Sequence, residues 1–370
     1  MMLPPTSARS PLFALAVTAG AVLIFIFGLL AWQSPAQVSF PHASVHDEVV
    51  TDSSRTPAAH DVFRLLFAPM KVEPANATFT FYDENIENLT TLRLPARPRY
   101  TKNMGKDVLV LDLETRPLES TKQYKEGQYD WTKLNHVSGG VFSHYTYAQV
   151  HGYDYKFIRA HEFEDRHATW IKPSALAQHI KNYKFIVFLD ADATFRFMHL
   201  PIEWMLNYWK IEPMHSITMA LDPWSVEEAD YNSDRFNRTY ANTGFMVVQN
   251  NAKIMEILKA WHECPDDTRY PGCSYWKEPK FHEQSAFGEH IRYDYEKYVK
   301  ELPCAEANGF PGVTVSDCQG RFVRHYWFDK ANIKKDFRDN VMNALTLPIQ
   351  RMFAENAGGI IHEQVENVLP

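Results

Sequence analysis

The chain has 370 residues, of which 45% are apolar and 14% aromatic, enough to bury a large α/β core with appendages, so wholesale disorder is excluded. Its 38 Lys+Arg against 45 Asp+Glu give a net charge of −7, which excludes the broad basic face of a general nucleic-acid-binding protein. Any anionic substrate must be met locally, by a metal, a few basic side chains or a helix N-terminus.

Leu12 to Trp32 holds 21 residues without a charge, about 31 Å of helix against a hydrocarbon core of about 30 Å. Arg9 and the amino terminus precede it, so positive-inside reasoning keeps residues 1–11 cytosolic and sends the rest into the lumen. That is a single-pass type II layout. The competing reading is a cleaved signal peptide with Ser34-Pro35-Ala36 as its small-x-small site, against which stand the length of the run and Pro35. Three acceptor sequons, Asn76-Ala77-Thr78, Asn88-Leu89-Thr90 and Asn237-Arg238-Thr239, fall on the predicted luminal side.

Residues 33–104 are rich in Pro, Ser, Thr, Ala and charge with little periodicity, and read as a stem. Within it, Ala68–Tyr82 has room for a strand or two. From residue 105 the pattern changes. Strands are predicted at 108–111, 155–158, 185–189, 217–221 and 245–248, and helices at 136–150, 174–182, 202–209 and 252–262. Short, continuous apolar runs alternating with helices predict an α/β domain over 105–345 with a mostly parallel sheet covered on both faces. A C-terminal tail follows over 346–370. Cys264, Cys273, Cys304 and Cys318 lack zinc-ribbon spacing and suit two disulfides in an oxidising compartment. Sequence-local pairing, Cys264–Cys273 and Cys304–Cys318, is preferred among three connectivities, with free buried thiols as the alternative.

In such sheets ligands bind beyond the carboxyl ends of the strands. There, directly after the most hydrophobic run, stand Asp190-Ala191-Asp192. Two carboxylates two residues apart at the exit of a buried strand call for neutralisation, and a hard divalent cation that also bridges a diphosphate supplies it. The bland alternative is an Asp capping a turn beside a solvated neighbour. Asp222 ends the strand at 217–221, Asn242-Thr243-Gly244 precedes the strand at 245, and His282-Glu283-Gln284 opens a helix. Each of these, read singly, is also ordinary turn or cap chemistry.

The order Trp170-Ile171-Lys172, Asp190-Ala191-Asp192, Asn242-Thr243-Gly244, Glu283-Gln284 and a late His325 resembles the Golgi galactosyl/mannosyltransferase family of fungi, relatives of the plant xyloglucan xylosyltransferases. The resemblance covers about residues 105–345. It implies a Rossmann-like GT-A fold, a nucleotide-sugar donor such as a UDP- or GDP-hexose, Mn2+ or another divalent cation, and transfer with retention. By position it places Asp190, Asp192 and His325 on the metal, with Lys172 near the diphosphate. Asn242 and Gly244 would join the donor site, and Asp222, Glu283 and Gln284 would face the donor sugar and reacting carbon. The chain departs from the family in having Glu283 where Asp usually precedes Gln, and Tyr-Trp-Phe-Asp after His325. The loop between Cys264 and Cys273, with Tyr270 and Tyr275, is expected to exclude water and stack on sugar.

Together these imply a metal-dependent hexosyltransferase of the Golgi membrane, galactose or mannose favoured, with its catalytic domain luminal. Its partners would be the nucleotide-sugar, a glycan acceptor, the membrane through residues 12–32 and fellow glycosyltransferases in a complex, with no nucleic acid. The rival classes are a non-catalytic membrane-anchored glycan-binding or scaffold protein, which leaves the aspartates without a task, and a glycoside hydrolase, which wants carboxylates flanking one bond at about 5–9.5 Å.

Overall fold

A computed structural model describes residues 59–84, 86–116, 130–225, 229–313 and 317–361. The predicted anchor at 12–32 lies outside the described residues. Among those described, no helix is long and apolar enough to cross a membrane.

A six-stranded sheet carries the domain, built from β3 (Val108–Glu114), β4 (Asp154–Arg159), β5 (Phe185–Leu189), β7 (Ile217–Leu221), β8 (Ala241–Gln249) and β9 (Val299–Leu302) in the order β4-β3-β5-β8-β7-β9. Five strands run one way, and β8 alone is antiparallel to both its neighbours. The runs are continuous because both faces are buried: Val108, Val110, Phe185 and Val187 enter one apolar cluster, and Leu109, Leu111, Ile186 and Phe188 the other. Helices cover both faces. α2 (His136–His151), capped by Asn135 and closed by the left-handed Gly152, and α4 (Ile202–Tyr208) pack on the first cluster. α3 (Ile171–His179) and α5 (Ile254–His262) pack on the second, α5 through Ile254, Ile257, Leu258 and Trp261 at helical spacing. The two disulfides join Cys264 to Cys273 and Cys304 to Cys318, the sequence-local pairing.

β8 is longer than the sequence suggests, because Asn242-Thr243-Gly244 lie inside it rather than before it. Its reversed direction sets those first residues at the same sheet edge as the carboxyl ends of β5 and β7. A second small sheet pairs β6 (Ala193–Phe195) with β10 (Val323–His325), matching Ala193 to His325. It draws the late part of the chain onto the Asp190–Asp192 turn.

The described part of the span read as a stem is packed rather than solvated. Helix α1 (Ala59–Phe67) and the hairpin of β1 (Thr78–Asp83) and β2 (Asn88–Arg93) bury Phe67, Phe79 and Phe81 in the first cluster. The Phe79 ring lies 4.9 Å from Phe197 and 5.6 Å from Trp204. At the other end, α7 (Ala331–Glu355) runs past residue 345 as one helix, its N-terminal half held by the fully buried Ile333 and by Asp336. The segment from Glu283 is a short helix, α6 (Glu283–Ala286), leading into a π turn at Phe287–Ile291.

Phe79→Ala should therefore destabilise the whole domain by about 3–5 kcal/mol, read as a lower denaturant midpoint at unchanged slope. A midpoint equal to wild type would mean that the hairpin is an appendage.

Candidate active site

β5 ends at Leu189, and the chain turns at once. The Asp190 N–H donates to the Gly244 carbonyl at 2.7 Å, and the Ala193 N–H returns to the Asp190 carbonyl at 2.9 Å. This turn aims both carboxylates into the cleft at the sheet edge. Their ligand oxygens and a ring nitrogen of His325 all lie within 4.8 Å of one another. His325 Nε2 is 3.1 Å from Asp192 Oδ1, and its Nδ1 meets Asn308 Oδ1 at 3.2 Å and the Trp327 indole N–H at 3.1 Å. Lys330 Nζ sits 2.8 Å from Asp192 Oδ2. Two carboxylates and an imidazole, gathered by elements more than a hundred residues apart, fit a hard divalent cation such as Mn2+.

Two glycines make the close approach possible. A Cβ on Gly244 would fall 2.1 Å from His325 Cε1, and one on Gly140 would fall 2.1 Å from the Ala191 carbonyl oxygen. Gly244 thus makes room for the imidazole over β8, and Gly140 lets α2 press on the backbone of the carboxylate turn. From the same helix, buried His144 meets the Ala193 carbonyl at 2.9 Å and Asp112 at 2.7 Å.

Lys172, in the first turn of α3, is almost fully buried. Its Nζ lies 3.1 Å from Asp190, 3.0 Å from Glu283 and 3.2 Å from the Thr243 hydroxyl. Burial works to lower its pKa, but the Asp190 and Glu283 carboxylates overcome that and hold the ammonium well above its ordinary value. Burial raises Asp190, with Asp192 adding to the effect against Lys172. Burial also works to raise Asp192, yet His325 and Lys330 hold it well below the usual carboxylate range. The two aspartates thus shift in opposite directions, because burial outweighs the cations at Asp190 and the cations outweigh burial at Asp192.

Glu283 is not turned toward a ligand cavity. It lies 2% exposed beneath the turn, accepts the Thr243 hydroxyl at 2.9 Å and pairs with Lys172, which holds its carboxyl low against the effect of burial. Gln284 accepts the Thr243 N–H at 3.0 Å and donates to Asp222 at 2.7 Å. Asn242 also donates to Asp222, at 2.8 Å, and its own side-chain oxygen accepts the Gly244 N–H at 2.8 Å. Asp222, Asn242 and Gln284 thereby form one hydrogen-bonded floor.

Two cavities flank the carboxylates and share Asp192 and Lys330. One, about 500 Å³, is lined by Glu114, Arg116, His136, His167, Lys172 and Asp190. The other, about 620 Å³, has Asp222, Asn242 and Gln284 with an aromatic wall of Tyr231, Phe281, Phe310, Trp327 and Phe328. Tyr270 and Tyr275, expected to stack on sugar, line neither. Tyr270 is core, with its hydroxyl donated to Asp294 at 2.9 Å, and Tyr275 sits on the outer surface against Trp276. Sequence reasoning missed Lys330, Asn308, Gly140 and the aromatic wall. Only Asn308-Gly309 gave a local signal, as a turn.

No family model and no curated protein matches the chain. Among solved structures it is similar to a glycosyltransferase involved in glycosylation of the major capsid of PBCV-1, at 13% identity and TM-score 0.44 over 62% of this chain and 98% of that one. It is also similar to mouse xyloside xylosyltransferase 1, at 13% identity and TM-score 0.34 over 59% and 96%. A third likeness is to the galactosyltransferase LgtC with donor and acceptor sugar analogs, at 11% identity and TM-score 0.37 over 64% and 95%. Scores of this size carry no weight for the chemistry, which rests on the residues themselves.

Gly244→Ala should displace the His325 ring and weaken divalent-metal affinity by about 10–100-fold with the fold kept, as read by Mn2+ titration. Unchanged affinity would remove His325 from the ligand set. A pH test follows from Asp222, whose carboxyl burial pushes up to about 6 although Asn242, Asn308 and Gln284 donate to it. The folded chain holds that proton to higher pH than the unfolded chain, so the group's contribution to stability falls as pH rises between about 4 and about 6. Relative to Asp222→Asn, wild type should lose roughly 2–3 kcal/mol of unfolding free energy between pH 4 and 7. A flat difference would mean that Asp222 ionises normally.

Proposed function

We propose that the protein is a metal-dependent glycosyltransferase with a GT-A-type fold that moves a hexose from a nucleoside-diphosphate sugar to a glycan hydroxyl. The observation that carries this reading is the convergence of Asp190, Asp192 and His325 within 4.8 Å at the exit of β5, between a polar cavity and an aromatic one. Asp190, Asp192 and His325 would hold the cation. When bound, it supplies Lewis-acid charge to the donor diphosphate. The polar cavity, with Lys172 at its floor, is the size of a nucleoside diphosphate site. The aromatic cavity offers flat apolar faces to a pyranose and a polar floor to its hydroxyls.

The residues divide the work. Lys172 sets one positive charge against the two carboxylates of Asp190 and Glu283, which leaves an excess of negative charge on the side of Asp190 where a cation would sit. Lys330 is 44% exposed and can leave Asp192 for solvent at little cost. Gln284 is held at both ends of its amide, which fixes the floor on which the transferred sugar would rest. Glu283 is committed to Lys172 and Thr243 and lines neither cavity, so a covalent sugar intermediate on it is disfavoured. Same-face attack assisted by the leaving phosphate is the retaining route we adopt, with Asp222 as the carboxylate of the aromatic cavity.

We further propose that the enzyme is Golgi-resident and related to the fungal galactosyl/mannosyltransferases, with galactose or mannose as the transferred hexose. Support comes from the ordered site motifs, the charge-free run at 12–32, the two disulfides, and the surface exposure of Asn88 and Asn237. Asn76 is less available, since its amide donates to the Lys71 carbonyl at 2.8 Å.

A screen of UDP- and GDP-hexoses with Mn2+ or EDTA tests the reading. Asp190→Asn and Asp192→Asn should each lower transfer by at least about 10²-fold, about 2.7 kcal/mol of transition-state stabilisation, with the circular-dichroism spectrum unchanged. His325→Ala should cost less, because water can take the place of one neutral ligand. Full activity in either Asn variant, or indifference to EDTA, would end the metal-dependent reading.

A further inference from the structure

A cavity of about 810 Å³ lies away from the carboxylate cleft, between α1, the β6–β10 ribbon and α7. Arg196 and Arg324 line its floor, with side chains 9% and 10% exposed. Their guanidinium groups share one carboxylate: Glu84, itself 50% exposed, lies 3.4 Å from Arg196 and 3.0 Å from Arg324. Asp336 meets Arg324 at 2.9 Å but also accepts the Tyr326 hydroxyl at 2.7 Å and the Thr194 hydroxyl at 3.2 Å. Asp339 is held by Lys335 at 3.1 Å and by Arg338 at 3.0 Å. The buried Nε of Arg324 has no acceptor among the described residues. Burial and the neighbouring Arg324 cation both work to lower the pKa of Arg196. Lys335 and Arg351 add positive charge at the rim.

The walls have the opposite character. Leu66 and Phe67 of α1, Met198, and Ala344 and Leu347 of α7 line them. A bare anion would satisfy the arginines and leave most of this volume against apolar side chains. A neutral apolar ligand would leave the arginines as they are.

We propose that this cavity binds an amphiphile with a phosphate-type anionic head, the head on Arg196 and Arg324 and the chain between α1 and α7. The site is separate from the carboxylate cleft, although Arg324 and His325 are neighbours on β10: Arg324 faces the cavity and His325 faces Asp192. A membrane lipid and a soluble alkyl phosphate share this chemistry.

The test is thermal unfolding of the full chain in neutral detergent with EDTA present, so that no metal-bridged phosphate contributes at the cleft. The probes are hexyl phosphate, inorganic phosphate and hexyl glucoside. Hexyl phosphate should raise the midpoint saturably by roughly 4–8 °C, inorganic phosphate clearly less, and hexyl glucoside not at all. Arg196→Gln should weaken hexyl phosphate at least about tenfold. Arg324→Gln risks the fold through Asp336, so Leu347→Asp is the second variant. It should weaken hexyl phosphate and leave the response to inorganic phosphate unchanged. No shift with hexyl phosphate, an equal shift with hexyl glucoside or with inorganic phosphate, or full retention in Arg196→Gln would overturn the proposal. The source is read with the chain in phosphatidylcholine vesicles: a rise on adding phosphatidic acid supports a membrane lipid as ligand. Response to hexyl phosphate alone supports a soluble one.

Discussion

The Lys172 ammonium lies 3.1 Å from Asp190, 3.0 Å from Glu283 and 3.3 Å from the Thr243 carbonyl, so a single buried cation ties together the end of β5, the start of β8 and the first turn of α6. Removing one partner from such a buried group typically costs about 3–5 kcal/mol, because the remaining charge is left uncompensated. The arrangement accounts for Asp190 and Glu283 being tolerated where burial alone would protonate them. It also fixes the backbone from which Thr243 holds Gln284, and through Gln284 the orientation of Asp222. The candidate site is therefore one electrostatic unit rather than a set of independent side chains.

Around that unit the sheet supplies geometry. A wholly parallel sheet would have sent the amino end of β8 to the far edge, leaving Asn242 and Gly244 remote from Asp190. Reversing β8 places them at the carboxyl ends of β5 and β7, and the short β6–β10 ribbon then delivers His325 over the one residue, Gly244, that lacks a Cβ to oppose it. His325 and Lys330 both lie on Asp192 and hold its carboxylate in place. A divalent ion would enter a place already organised around negative oxygens.

The parts legible in the sequence are those whose cause is local. β5 and the first half of β3 read as uninterrupted apolar runs because both their faces are buried, and α5 shows its helical spacing openly. Asp190 and Asp192 stood out for the same reason, as two charges at the end of such a run. The parts that stayed hidden depend on long-range partners. Asn242-Thr243-Gly244 has the composition of a turn and lies in a strand only because the β8 residues on either side of it pair with β5 and β7. β6 and β10 are three residues each and exist only through one another. Phe79 and Phe81 alternate with polar residues as a half-buried strand should, but they sit in Pro- and Thr-rich surroundings that resemble a linker. Glu283 looked like a sugar-facing acid beside Gln284, and nothing local announced that Lys172, more than a hundred residues earlier, would claim it. Tyr270 likewise belonged to the core and not to the cleft.

The central claim is that Asp190, Asp192 and His325 form one divalent-cation site. Crystals soaked in Mn2+ and a nucleoside diphosphate, with diffraction measured at the manganese absorption edge, test it most directly. One strong anomalous peak should appear within coordination distance of all three side chains, with Lys330 moved off Asp192. A peak elsewhere, or none while His325 and Lys330 still hold Asp192, would contradict it.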